Sequence, residues 1–190
     1  MNSVRAFLAV DLPKDVKDAV ARQFLEAAHP SGGMRWTSRG NLHLTLKFFG
    51  SLPEERTGDL KSFLGEFAPK QEPFFLSFAE TGVFPNNARP QALWLGAGKG
   101  KEDLEALVCL IEDGFAEIGF SKQTRVFHPH LTLAKLNGKI KKAEIERFLK
   151  MDGLGISGFI ADRLVLFKSQ TLSSGPVYSV LDEFKFGASG

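Results

Sequence analysis

Apolar residues recur along this chain at two spacings, every second position and every third or fourth, and the changes of spacing divide it into strands and helices. Residues 4–12 form a short apolar run, broken by Arg5 and closed by Asp11 and Pro13, which predicts a strand rather than a signal peptide. Pro13 opens a helix with Val16, Ala19, Val20, Phe24 and Ala27 on one face. Pro30-Ser31-Gly32-Gly33 stops it, with His29 as a solvated residue at its end. Arg35-Trp36-Thr37 leads into a strand over residues 41–50. Ser51, Pro53, Glu54 and Glu55 predict a helix start with acidic residues in the first turn, and Leu60, Phe63, Leu64 and Phe67 supply its buried stripe.

Residues 74–79 predict a strand, Gly82 to Pro90 a turn-rich connection, and residues 91–96 a strand containing Trp94. A long helix from Lys101 places Leu104, Leu107, Val108, Ile111 and Ile118 on one side and ends at a Gly119 cap. Cys109 falls inside that pattern and reads as a small core residue rather than a nucleophile. A strand entered through His128-Pro129 follows, then a short helix over 141–149, strands over 156–160 and 163–169, and a closing strand over 177–186. The last four residues are small and polar and are expected to fray. Strand, helix, strand, helix, strand recurs in both halves, which predicts a duplicated, two-lobed α+β fold. Its antiparallel sheets are flanked by helices and a cleft lies between the lobes. Which strands pair is left open by the pattern.

The period-two pattern is sharpest in a tetrapeptide that occurs twice, His43-Leu44-Thr45-Leu46 and His130-Leu131-Thr132-Leu133. On a strand, His and Thr point to one face and both leucines to the other, so one face builds core and the other aims two imidazoles and two hydroxyls outward. Leu42, Phe48, Phe49 and Phe127 flank the copies and are expected to hold them in a packed sheet. Lys47 shares the face of His43 under strict alternation. The same rule puts Lys135 and Arg125 opposite His130, so an anion-binding role for either needs a bend or a strand end.

Composition narrows the function. With 190 residues and 43% hydrophobic content, the chain is expected to fold alone as a monomer. A net charge of +2 is too even for an electrostatic grip on long nucleic acid, although a local basic pocket remains compatible with it. The single cysteine excludes an internal disulfide and suits a reducing, cytoplasmic setting. No stretch approaches the roughly 20 apolar residues of a membrane span.

Two imidazoles suit displacement at phosphorus, in which attacking and leaving oxygens stand on opposite sides of the phosphorus. One ring serves as base to water and the other as acid to the leaving oxygen, while the threonines donate to the non-bridging oxygens. No cofactor or metal is required. The rival is a metal site of His43, His128 and His130, but no carboxylate or thiolate stands near them at ligand spacing and Pro129 disturbs the geometry. His128 therefore reads as a supporting residue. Ser174 lacks the context of a hydrolase nucleophile.

The segments His43-Leu44-Thr45-Leu46-Lys47-Phe48-Phe49-Gly50 and Phe127-His128-Pro129-His130-Leu131-Thr132-Leu133-Ala134-Lys135 resemble the paired motifs of the RNA 2',3'-cyclic phosphodiesterases, formerly called 2'-5' RNA ligases, of the two-histidine (2H) phosphoesterase superfamily. Residues 5–10, the segment from Gly82-Val83-Phe84-Pro85 through Trp94, Phe167-Lys168-Ser169 and Gly175-Pro176-Val177-Tyr178 are also similar to blocks of that family. The resemblance implies one catalytic domain over 1–190 with pseudo-twofold symmetry, one lobe holding both termini and the other built from the middle of the chain. It implies metal-independent hydrolysis of a terminal 2',3'-cyclic phosphate to a 2'-phosphate, with reverse ligation as a secondary activity. By the same resemblance His43 is the acid at the departing 3'-oxygen, His130 the base on water, and Thr45 and Thr132 the phosphate ligands. Arg125 and Lys135 are further candidate substrate contacts; relatives often carry Arg where Lys135 stands, so a point charge replaces a bidentate fork. RNA ends or nucleoside 2',3'-cyclic phosphates are the expected partners. The alternative is a non-catalytic nucleotide- or RNA-end-binding module on the same fold.

Overall fold

Strands with one apolar and one polar face bury the first by pairing side by side under a layer of helices, and the repeated alternation predicts several such strands. The computed structural model of the protein describes residues 3–26, 33–138, 140–172 and 175–187. Ala27, His29, residues 30–32 of the first helix stop, Ser174 and residues 188–190 lie outside these. The elements run β1 (Ser3–Asp11), α1 (Lys14–Val20), β2 (Met34–Trp36), β3 (His43–Pro53), α2 (Arg56–Phe67), β4 (Phe74–Leu76) and β5 (Phe78–Phe84). They continue with β6 (Ala92–Ala97), α3 (Lys101–Glu117), β7 (His130–Leu136), α4 (Lys142–Phe148), β8 (Phe159–Ala161), β9 (Arg163–Leu172) and β10 (Gly175–Lys185).

An eight-stranded sheet takes the order β10-β9-β1-β3-β7-β6-β5, with β2 also on β7; β4 and β8 form a separate two-stranded ribbon. All of these pairings are antiparallel. The motif strands β3 and β7 are neighbours at the centre, joined through the single register pair Leu44 with Leu131. On either side the same unit appears, β1-α1-β3 in one half and β6-α3-β7 in the other, each ending on a motif strand.

One face of the sheet is core. Val4, Ala6, Leu8 and Val10 of β1 and Leu164 and Leu166 of β9 pack there with the motif leucines, against Val16 and Val20 of α1, Leu60 and Leu64 of α2, Ile111 of α3 and Phe148 of α4. Leu42, Leu44, Leu46, Leu131 and Leu133 are each no more than 1% exposed. Full burial of such a side chain stabilises by roughly 1.5–3 kcal/mol, so the apolar half of each motif anchors the polar half. Among the described residues no helix is long and apolar enough to cross a membrane.

Several local expectations fail for tertiary reasons. Gly82 is a strand residue in β5, because the Trp94 indole lies where its side chain would be, 2.0 Å from an added Cβ. The connection therefore begins only after Phe84. Residues 51–53 pair with Ser3 to Arg5 and prolong β3, which delays the helix to Arg56. In α3 the buried stripe ends on Phe115, while Ile118 and Cys109 are exposed; a cysteine within an apolar run here lies on the solvent side of the helix. The expected strand over 156–160 contracts to β8, with Ile156 buried in the preceding turn.

Candidate active site

Both motif strands break alternation at the same place. Leu8 pairs with Lys47 and Ala9 with Thr45, which makes Leu46 an extra residue in β3; Leu93 pairs with Ala134 and Trp94 with Thr132, which makes Leu133 an extra residue in β7. One inserted residue reverses the facing of everything beyond it. His43 to Phe48 and His130 to Lys135 consequently share one burial order: half-buried, buried, half-buried, buried, buried, exposed. Lys135 emerges on the face of His130, so the bulge supplies the bend that its candidate role requires. Lys47, expected beside His43, turns instead into the core. Its ammonium donates to Glu112 at 2.5 Å and to the Ser121 carbonyl at 3.0 Å. Phe48, expected as packing, is 63% exposed on the site face.

The antiparallel register through Leu44 and Leu131 sets His43 level with Thr132 and Thr45 level with His130. Each imidazole is oriented the same way: Nδ1–H of His43 donates to the Asn41 carbonyl at 2.7 Å, and Nδ1–H of His130 to the His128 carbonyl at 2.6 Å. That fixes the neutral tautomer with Nε2 as the acceptor. At His43 the Thr45 hydroxyl donates to Nε2 at 2.9 Å. Burial pushes the His43 imidazole down to about 4, against the upward pull of the Asn41 carbonyl and Asp11, with Lys17 and His130 adding to the fall. The two rings are thus within electrostatic reach of each other. His130 is lowered as well, by burial first, opposed by the His128 carbonyl and assisted by the His128 ring. Both rings are neutral in the free protein near pH 7.

Aromatic side chains wall in each imidazole. Ring centroids of Phe7, Tyr178 and Phe167 lie 4.8, 5.3 and 5.9 Å from His43. Phe84 lies 4.8 Å and Trp94 6.4 Å from His130. His128 stands edge-on to Trp94 at 4.7 Å, where its carbonyl is held for His130. Among the described residues no group of three or more His, Cys, Asp or Glu is arranged to hold a metal.

Arg125 lies outside β7, exposed in an irregular segment, so strand parity does not govern its direction. That segment is tied down beside it, since Glu112 accepts the Gln123 N–H at 3.1 Å while gripping Lys47. Pattern reading passed over Arg35, Phe7, Tyr178 and Phe84. Only pairing reveals them: Phe7, Tyr178 and Phe84 come from strands distant in sequence from the imidazole each approaches, and Arg35 is placed by the pairing of β2 with β7. A cavity of about 290 Å³ lined by Asp11, Leu12, Pro13, Arg163, Val165 and Glu183 adjoins the site through Asp11 but includes neither imidazole.

Known proteins are similar to this chain over nearly its whole length. The family model for LigT like Phosphoesterase matches twice in succession, over residues 10–94 and 95–178, with one motif in each match. The RNA 2',3'-cyclic phosphodiesterase of Aquifex aeolicus (strain VF5) is 29% identical over 188 residues, 98% of this chain and 100% of that protein. The protein of the same name from Methanocaldococcus jannaschii is 30% identical over 185 residues, 95% of this chain and 100% of that protein. A crystal structure of a Thermus thermophilus protein superposes with a TM-score of 0.83 at 28% identity, covering 95% of this chain and 97% of that one. A duplicated match over nearly the whole chain, with one imidazole-bearing strand in each half, makes this protein a member of the LigT like phosphoesterase family.

Proposed function

We propose that the protein hydrolyses the terminal 2',3'-cyclic phosphate of RNA to a 2'-phosphate by metal-independent acid–base catalysis between His43 and His130. The observation that carries this reading is the pairing of two His-x-Thr units on adjacent antiparallel strands, each with Nδ1 tied to a carbonyl and Nε2 directed to one face. The names of the relatives supply the substrate class.

In this scheme the cyclic phosphate sits between the rings. His130 Nε2 takes a proton from water as its oxygen bonds to phosphorus, the bond from phosphorus to O3' breaks, and His43 Nε2 gives O3' a proton. Geometry treats the rings alike; the family resemblance assigns which is acid. Anion binding raises both imidazole pKa values, which restores the proton that burial denies His43 in the free protein. Thr45 turns its hydroxyl from Nε2 to a non-bridging oxygen, and Thr132 serves the other. Lys135 adds a positive charge to the same face, and Arg125 is a further candidate contact. The exposed ring of Phe48 offers a surface on which a base can stack. The two halves of the sheet act as two lobes of one catalytic domain over 1–190, one lobe holding both termini, and the protein works as a cytoplasmic monomer. Reverse 2'-5' ligation is secondary, since excess water favours hydrolysis.

The test is a panel of nucleoside 2',3'-cyclic phosphates and cyclic-ended oligonucleotides, with the product isomer identified. A 2'-phosphate product is expected. A 3'-phosphate reverses the assignment of the leaving oxygen, and binding without product at any pH makes the protein a binding module.

A further inference from the structure

The three residues of β2 put a cation where neither motif reaches. Met34, Arg35 and Trp36 pair with Leu136, Lys135 and Ala134 of β7. Met34 and Trp36 pack against the core, so Arg35 leaves on the opposite face, level with Lys135. That face is the site face. The other neighbour of Lys135 is Ala92, which shares a face of β6 with Trp94, the ring packed against both His128 and His130.

Arg35 also lies on the His43 side of the site. β2 follows β3 along the same edge of β7, joined by Thr37, whose N–H donates to the Leu133 carbonyl at 2.8 Å and whose hydroxyl donates to the Thr132 carbonyl at 2.9 Å. The positive charge of Arg35 reaches the phenol of Tyr178, whose ring stands edge-on to His43. Arg35 and Lys135 are both exposed, and neither forms a salt bridge among the described residues. Like charges placed directly opposite on neighbouring strands destabilise a sheet, and an anion seated between them removes the penalty.

We propose that Arg35 and Lys135 hold a second phosphate of the substrate, the phosphodiester on the 5' side of the nucleoside that carries the cyclic phosphate. This rests on the proposed function, in which His43 faces O3'. C4' of the ribose is bonded to C3', so the arm to the 5'-phosphate leaves the sugar from the O3' side, toward Arg35. The guanidinium fork takes two non-bridging oxygens, while the point charge of Lys135 is shared between the two phosphates. The preferred substrates are therefore RNA ends and 5'-phosphorylated nucleotides, ahead of bare nucleoside 2',3'-cyclic phosphates.

Two ratios test this. One is the affinity for adenosine 2',5'-bisphosphate over adenosine 2'-phosphate, by calorimetry; the other is kcat/KM for 5'-phosphoadenosine 2',3'-cyclic phosphate over adenosine 2',3'-cyclic phosphate. Both should favour the 5'-phosphorylated ligand by roughly tenfold or more, as a charge-assisted bidentate contact does. Arg35→Ala should bring both ratios close to one, and Arg35→Lys should leave them intermediate. Because each ratio is taken within one variant, partial unfolding cancels. Ratios near one in the unaltered protein, or ratios that survive Arg35→Ala, overturn the second phosphate site. Absence of hydrolysis with either substrate overturns the catalytic reading instead, and the affinity ratio still decides the role of Arg35.

Discussion

At the scale of residues, the behaviour of the site follows from two half-buried imidazoles with matched orientation. His43→Ala and His130→Ala should each lower kcat by about 10² to 10⁴, and the double variant should lose less than the product of the two, because the pair acts as a unit. Steady-state assays on one cyclic substrate check this; full activity in either variant removes that residue from the mechanism. The pH profile should be bell-shaped. In kcat/KM, which reports the free protein, the limbs should fall below the reference 6.5, since burial lowers both rings. In kcat they should move upward, because bound phosphate favours imidazolium. The same shift acts on stability. His43 falls from 6.5 in the unfolded chain to about 4 in the fold, so the unfolded state binds the extra proton between those values. Its contribution is complete above 6.5, is lost as pH drops toward about 4, and changes no further below that. Urea unfolding across that window should show the decline, and His43→Gln should make it shallower. A rate that climbs steadily from acid to alkali is incompatible with the two-imidazole assignment.

At the scale of elements, the one-residue bulge after each motif is the decisive feature. It carries Lys135 to the site face and sends Lys47 to the core, where its side chain is 2% exposed and that of Glu112 14% exposed. The carboxylate has one oxygen on Lys47 and Gln123 and its other oxygen, Oε1, buried without a partner among the described residues. Removing only the cation leaves a buried anion, so Lys47→Met should cost about 3–5 kcal/mol of stability. The paired change Lys47→Met with Glu112→Leu should recover most of that, since apolar side chains of similar volume need no compensation. Equilibrium denaturation of both variants reads the difference, and a near-neutral single variant would show that the pair is not anchoring the segment that bears Arg125.

At the scale of the whole molecule, two similar halves meet where β3 and β2 pair along one edge of β7, and each half contributes one ring and one hydroxyl. The proposed reaction needs both halves and no Lewis acid. Activity should survive exhaustive chelation, as measured on the cyclic substrate after dialysis. Loss on chelation, with recovery on adding zinc or manganese, would move the chemistry to a metal held by His43, His128 and His130.

The sequence by itself determined the motifs, the duplication and the division of labour between leucines and polar residues, because alternation along a strand is a local property that needs no partner. It also determined which residue types, imidazole and hydroxyl, share the polar face of each motif strand. Tertiary structure decided what lies beyond the fourth residue of each motif. Leu46 and Leu133 look like ordinary alternating positions, and only the pairing of β1 with β3 and of β6 with β7 makes them bulges. For that reason Lys47 and Lys135 were misplaced by strict alternation. Arg35 and Tyr178 were invisible for a related reason: strand order across the sheet sets Arg35 level with Lys135 through β2 on β7, and brings Tyr178 to His43 from β10 at the far edge. The imidazole pKa values belong to the fold as well, since burial, a non-local quantity, is the leading cause of both shifts.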